Sequence, residues 1–239
     1  MWPVDLGRVG YAQAMGDRVS STGTVVAIDG PAGSGKSTLA RRVAHELHLP
    51  YVNTGLMYRA LAGRALVRRV DPDDGPGLRA LLETMSFRLD RMGRPRELVI
   101  DDRKGDEEYS SSAIEETVSA VASHPEVRAL MADLQRRLGA SGAVMEGRDI
   151  GSVVFPSADV KIFLDATLGE RAGRRLRERA GGPRVADELA RRDASDSRVN
   201  PFVPAEDAVR LDTTGREADE VFREAMAIIR SRLPGGADR

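Results

Sequence analysis

Nine residues, Gly30-Pro31-Ala32-Gly33-Ser34-Gly35-Lys36-Ser37-Thr38, constrain this chain more than any other stretch. Four residues separate Gly30 from the Gly35-Lys36-Ser37 triplet, which is the spacing of a P-loop. An apolar run, Val25-Val26-Ala27-Ile28, leads into it. A repeat of helical period leads out, with Leu39, Val43 and Leu47 on one face. Glycines let a backbone close around phosphates with its N–H groups turned inward. The helix N-terminus that follows favours negative charge. On this spacing Lys36 reaches the terminal phosphates, and the Ser37 hydroxyl binds the Mg2+ that travels with them. Only three of the thirty-six basic residues are lysines, and one stands where the motif requires it.

A chain of 239 residues suits one α/β domain with insertions, or two small domains. It is long enough to bury a core without staples. The chain has no cysteine, which excludes disulfides, a thiol nucleophile and cysteine-based metal sites. With no leader-like or long apolar segment in view, the expected location is cytoplasmic. A net charge of −1 creates no global field toward nucleic acid or membrane. The expectation is a monomer that works on small molecules, with neither as a partner. Local placement of arginine becomes the informative quantity.

Residues 1–23 show no sustained period and read as a disordered extension, within which Met15 offers an alternative start. The first strand and P-loop helix run from Thr24 to about His48. A second strand follows at Pro50-Tyr51-Val52, and Leu56 to Val70 reads as a helix. Asp71 to Gly77 is a loop on composition. Ser86–Asp90 and Glu97–Asp101 are short strands joined by a Gly93/Pro95 turn. Asp101 to Ser112 reads as loop. Two helices follow, the second opened by a capping-box pattern, Ser123-His124-Pro125-Glu126. Buried strands return at Ala143–Glu146 and Val160–Asp165, and a second capping box, Thr167 to Glu170, opens an arginine-rich helix. Ala186–Ala194 reads as helix, Ala208–Asp212 as a final strand and Glu217–Leu233 as a final helix. The organisation expected is a core of 24–56 and 140–233, an insert of 57–139, a lid of 171–199 and a tail of 234–239. Strands alternating with helices predict a parallel sheet with helices on both faces.

A P-loop announces a nucleotide without saying what is done with it. The guanine-reading Asn-Lys-x-Asp tetrapeptide is absent, as is an apolar strand ending in Asp-Glu. In their place stand arginines near strand ends: Arg59, Arg128, Arg148, Arg171, Arg174, Arg175, Arg192 and Arg198. Arginine's planar fork matches phosphate oxygens two at a time. Phosphoryl transfer between two phosphorylated molecules needs such a cage. Three patterns single out particular members. Asn53-Thr54-Gly55-Leu56-Met57-Tyr58-Arg59 and Glu146-Gly147-Arg148-Asp149-Ile150-Gly151 close core strands, where open α/β sheets bind ligands. Arg192-Asp193 with Asp196 and Arg198 is the third. Two alternatives stand beside a nucleotide kinase at this point: a kinase with another acceptor, and a switch or RNA-binding module using the arginine-rich helix.

Taken together and in order, these motifs resemble the bacterial cytidylate kinases, among the nucleoside monophosphate kinases, over about Val25 to Leu233. The stretches that carry the likeness are Ile28 to Ser37, Thr54-Gly55 to Tyr58-Arg59, Ser119 to Arg128, Glu146 to Pro156 and Val160 to Ala166. The resemblance implies a P-loop NTPase fold: a five-stranded parallel sheet flanked by helices, with a monophosphate-binding insert and a short lid. It implies ATP as donor, CMP or dCMP as acceptor, and Mg2+. Gly30 to Thr38 and Arg174 would hold ATP. Thr54, Tyr58, Arg59, Ser119, Arg128, Arg148 and Asp149 would line the acceptor site. Ser119, Arg128 and Asp149 would read cytosine, while Arg59 and Arg148 grip its phosphate. Asp196 with Arg192 would contact the sugar, and Arg198 the transferring group. Lys36, Arg148, Arg192 and Arg198 form the implied catalytic set.

The residue chemistry agrees with those roles. Cytosine offers an exocyclic amine to a carboxylate such as Asp149, where uracil would present a carbonyl. The chain departs from the family in three places. Asn53 stands where Asp is usual, the segment Asp196 to Pro201 is about two residues short, and Asp101–Ser112 lacks the usual Ile-Arg pair. His45, His48 and His124 read as surface or capping residues. No general base is required, because the acceptor phosphate is already anionic.

Overall fold

The computed structural model describes residues 23–104, 109–178, 187, 189–190, 193–194 and 203–233. Its centre is β1 (Val25–Asp29), which is buried along its whole length. A parallel strand covered on both faces reads as a continuous apolar run, which is why Val25-Val26-Ala27-Ile28 shows no alternation. Val26 and Ile28 face α1 (Lys36–Glu46) through Leu39 and Val43. Val25 and Ala27 face the opposite layer, with Ala132, Ile150 and Phe155.

Five parallel strands form the main sheet in the order β2-β6-β1-β7-β8: β2 is Tyr51–Asn53, β6 Ala143–Gly147, β7 Val160–Asp165 and β8 Val209–Asp212. The five-stranded parallel sheet flanked by helices is the fold expected from the sequence. The final helix, α7 (Ala218–Arg232), lays Val221, Ala225 and Ile229 on the same layer as α1. Spacing of i, i+4 and i+8 gives it a single apolar stripe.

Between β2 and β6 the chain leaves the sheet. It forms α2 (Thr54–Arg68), α3 (Gly75–Glu83), an antiparallel sheet of β3 (Phe87–Leu89), β4 (Leu98–Ile100) and β5 (Arg103–Lys104), then α4 (Ser112–Val121) and α5 (Pro125–Gly139). These elements bury their own core of Met57, Leu61, Leu78, Val118 and Met131. Helix α5 belongs to both cores, since Met131 packs into this one and Ala132 against the main sheet. The Tyr51 N–H donates to the Arg96 carbonyl at 2.8 Å, so the chain leading into β4 covers the open edge of β2.

Three local expectations change. Helix α3 begins at Gly75, inside a stretch that reads as loop. Asp74 caps it by accepting the Gly77 N–H at 3.0 Å, and Pro76 sits where a helix needs no donor. The segment 101–112 holds the short strand β5, whose two residues pair with β4. The Ser123 capping box does not form. The residue before a proline is pushed to extended backbone, so His124 becomes the cap residue of α5, and the Ser123 hydroxyl donates to the Ala120 carbonyl instead. In α6 (Leu168–Glu178) the Thr167 hydroxyl does accept the Glu170 N–H at 3.4 Å. The 1–22 part of the extension, residues 186, 188 and 191–192 of the expected 186–194 helix and the 234–239 tail lie outside the described residues.

Candidate active site

The register of the main sheet brings the carboxyl ends of β2, β6 and β1 into one row: Asn53 stands opposite Glu146, and Gly147 opposite Asp29. Everything that follows these ends in sequence therefore opens onto the same rim.

From β1 the chain enters Gly30–Thr38. Gly30, Gly33 and Gly35 adopt positive φ values of 147°, 77° and 94°. A Cβ at Gly30 would lie 2.2 Å from the Leu164 carbonyl oxygen, so only glycine lets the loop start this close to β7. Gly35 forms the cap of α1 and brings no side chain to its first N–H groups; no acidic residue occupies the first turn. That leaves the positive end of the helix open to an anion. Lys36 folds its ammonium onto the Pro31 carbonyl at 2.7 Å, across the mouth of the loop. Pro31, Ala32 and Ser34 are buried, whereas Ser37 and Thr38 face outward.

The loop is braced from behind by α6. Arg171 is buried and donates to the carbonyls of Ala32 at 3.1 Å and Ala166 at 3.0 Å, and it pairs with Asp193 at 2.7 Å. Arg174 donates to the Ser34 carbonyl at 3.3 Å and the Thr213 hydroxyl at 2.9 Å, and pairs with Glu170 at 3.1 Å. Its guanidinium thus lies against the loop backbone. Thr213 itself donates to the Ser34 carbonyl.

Beside the loop stands Glu146, a buried carboxylate closing β6. It accepts the Ser37 hydroxyl at 3.0 Å on one oxygen and the Tyr51 hydroxyl on the other. Burial, then the negative charge of Glu146, push the Tyr51 phenol well above the ordinary tyrosine range. Nothing in the motif spacing points to Glu146; the available signal was a lone acid ending an apolar strand run. Ser37 and Glu146 together offer hard oxygen donors beside a phosphate-binding loop. That donor set suits Mg2+, which binds one or two protein oxygens and fills its shell with water and phosphate. Among the described residues no group of three or more His, Cys, Asp or Glu could hold a metal by itself.

The acceptor candidates gather on the far side of the same rim. Thr54 opens α2 and donates its hydroxyl to the Glu146 carbonyl at 2.7 Å. Asn53 caps that helix, accepting the Leu56 N–H at 3.0 Å. One turn on, the Arg59 guanidinium lies close to Gly55. From α5, Arg128 reaches Asp149 at 2.6 Å. Burial raises the Tyr58 phenol above its ordinary value; Arg128 pulls it down and Asp149 pushes it up, so Tyr58 feels the charges of that pair. Ser119 is half-buried on α4, which packs on α2. Arg148 crosses between the two sides, donating to the Gly30 carbonyl at 3.3 Å. Arg192, Asp196 and Arg198 lie outside the described residues. Of the histidines, His124 bonds the Pro72 carbonyl at 2.8 Å, a packing contact within the insert.

Known proteins resemble the chain over most of its length. The family model described as Cytidylate kinase matches residues 26–231. A cytidylate kinase of Acidiphilium cryptum is 44% identical over 89% of this chain and 98% of its own length. That of Geobacillus kaustophilus is 42% identical over 87% of this chain and 97% of its own. A bifunctional pantoate ligase/cytidylate kinase of a Synechococcus strain is 40% identical over 95% of this chain and 47% of its length.

Proposed function

The chain belongs to the cytidylate kinase family, and from that premise we propose how its residues divide the work of moving a phosphoryl group from ATP to CMP or dCMP. The observation that carries the reading is that the Gly30–Thr38 loop and the segments carrying Arg59 and Asp149 follow strand ends in one row, with Arg148 bonded to the Gly30 carbonyl. Gly30–Thr38 hold the ATP phosphates, and Lys36 leaves the Pro31 carbonyl to follow the γ-phosphate. Arg59 and Arg148 grip the acceptor phosphate. Ser119, Arg128 and Asp149 read the cytosine edge, with Thr54 and Tyr58 shaping the floor. An acceptor phosphate oxygen attacks the γ-phosphorus, the bond from that phosphorus to the β–γ bridging oxygen breaks, and ADP leaves. Charge gathers on the transferring group during this step, and arginines fixed by the fold meet it without reorganising.

Mg2+ would be held by Ser37, with Glu146 behind it, and would neutralise charge on the β- and γ-phosphates. Arg174 supports ATP by bracing the loop. Residues 57–139 serve as the acceptor-binding insert and 171–199 as the lid, with Arg192, Asp196 and Arg198 completing the site on closure. This one chain supplies both halves, so the reading needs no second copy and takes the enzyme as a monomer. ATP and free nucleotides place its work in the cytoplasm, without nucleic acid or membrane as partner. No helix among the described residues is long and apolar enough to cross a membrane.

ADP release measured across CMP, dCMP, UMP and AMP tests the assignment. CMP and dCMP are expected to turn over, with UMP slower by about 100-fold or more in kcat/KM, because uracil leaves Asp149 facing a carbonyl. Equal or better turnover of UMP would remove the cytosine assignment and favour the alternative acceptor.

A further inference from the structure

At an ordinary helix start, the cap residue turns its own side-chain oxygen onto the first unpaired N–H groups. The π-helical turn Ile150–Val154 is made differently. Its cap residue is Asp149, whose side chain makes no bond to the turn. That carboxylate reaches Arg128 instead, at 2.6 Å. The orphaned N–H groups are met from another element. Asp29, the last residue of β1, accepts from Ile150 through Oδ1 and from Gly151 through Oδ2, each at 2.8 Å. A Cβ at Gly151 would lie 3.0 Å from the Lys161 side chain, which would have to give, and in ordinary contact with Asp29 Oδ2 at 3.4 Å.

We propose that Asp29 is a positioning residue for the acceptor side: it caps the turn in place of Asp149, leaves the Asp149 carboxylate free for Arg128 and the base, and sets both at a fixed height against the P-loop. The inference rests on the reading of Asp149 as the base-contacting acid. Asp29 touches no substrate in this role. It acts through residues 148–151, which are tied to residues 29–30 at a second point by the Arg148 bond to the Gly30 carbonyl. A change in the loop is thereby felt at Asp149.

Asp29's own electrostatics argue against a purely stabilising part. Burial pushes its carboxyl up to about 6, while the Gly151 and Ile150 N–H groups pull it down; Asp149 raises it and Lys36 lowers it. The folded chain therefore holds this proton more tightly than the unfolded chain, whose carboxyl titrates near 3.8. The stabilising contribution is complete below that value and is lost as pH rises through about 6, so the ionised group weakens the fold at neutral pH.

Steady-state kinetics of wild type and Asp29→Asn, each shown folded by circular dichroism, test the proposal. An amide presents a donor to one of the two N–H groups and so breaks the cap. The expected result is a fall in kcat/KM for CMP of about tenfold to a hundredfold, with the KM for ATP within about twofold of wild type. Unchanged CMP kinetics, or equal rises in both KM values, would overturn it. Amide exchange in the wild-type chain gives a second arm that needs no variant: the Ile150 and Gly151 amides are expected to exchange slowly, and fast exchange at both sinks the cap. A wild-type enzyme that ignores CMP would refute the functional reading, leaving amide exchange to judge the cap alone.

Discussion

Gly30–Thr38 and the Arg128–Asp149 pair face each other across one rim, but they are made of different material. The proposed donor side is nine consecutive residues, and its chemistry is mostly backbone: N–H groups, three glycines at positive φ and a helix end. The proposed acceptor side is side chains from separate elements, Thr54 and Arg59 on α2, Ser119 on α4, Arg128 on α5 and Asp149 after β6. A backbone site recognises a charge class, since every amide offers the same donor. A side-chain site recognises an individual, because donors and acceptors can be chosen one at a time. Substitutions should therefore separate the two sides by which substrate they disturb.

The largest effect is expected at Lys36. Lys36→Ala removes the ammonium group of the loop and should lower turnover by about 1,000-fold with every acceptor alike, while the unfolding midpoint stays put. An ADP-release assay on CMP and dCMP checks it. Retained activity would mean the loop binds phosphate without taking part in transfer.

Asp149→Ala comes next. Here the loss should be selective: about 100-fold in kcat/KM for CMP, with the KM for ATP nearly unchanged. Equal losses for both substrates would show that the ion pair with Arg128 serves the whole rim, and the contrast between the two sides would collapse.

Glu146 sits on the seam, its carboxylate bonded to Ser37 of the donor loop and its carbonyl to Thr54 of α2. Glu146→Gln keeps the shape and removes the charge. The Mg2+ concentration needed for half-maximal rate should rise about tenfold, with activity restored by excess metal, as expected when a group behind a metal ligand is altered. A rate that falls without any change in metal dependence would assign Glu146 to the loop's architecture alone.

The same difference in material explains how far the sequence could be read. The loop is local, so spacing and flanking periodicity were enough to place it on a strand end and a helix start. β1, β2, β6 and, Lys161 apart, β7 were legible as apolar runs closed by a polar residue, whereas β8, Val-Arg-Leu-Asp, alternates. Helix α3 was hidden by Gly75-Pro76-Gly77, where composition suggests a turn, but Asp74 and the proline make a helix start. The Ser123 box failed because Pro125 moved the cap one residue on. The roles of Glu146, Tyr51 and Asp29 could not be read, for another reason. Their partners lie 95 to 122 positions away along the chain, and only the parallel register of β2, β6 and β1 brings them together.

Asn53 offers the smallest expected effect and the finest test of the seam. It stands at the end of β2, opposite Glu146 and at the cap of α2, where the resemblance leads one to expect Asp. Its Oδ1 accepts the Leu56 N–H, a bond that Asp makes about equally well. Asn53→Asp would add favourable charge at a helix N-terminus, about 0.3–1 kcal/mol. It would also set a second carboxylate across the ladder from Glu146, a like-charge opposition of similar size. The two contributions oppose, so the unfolding free energy should move by less than about 0.5 kcal/mol, and the rate by less than about twofold. Denaturant melts and CMP kinetics on the same preparation measure both. A rate gain of about tenfold or more, with stability unchanged, would mean that a carboxylate at the end of β2 acts on the donor side, and that the boundary between the two sides lies at α2 rather than at β6.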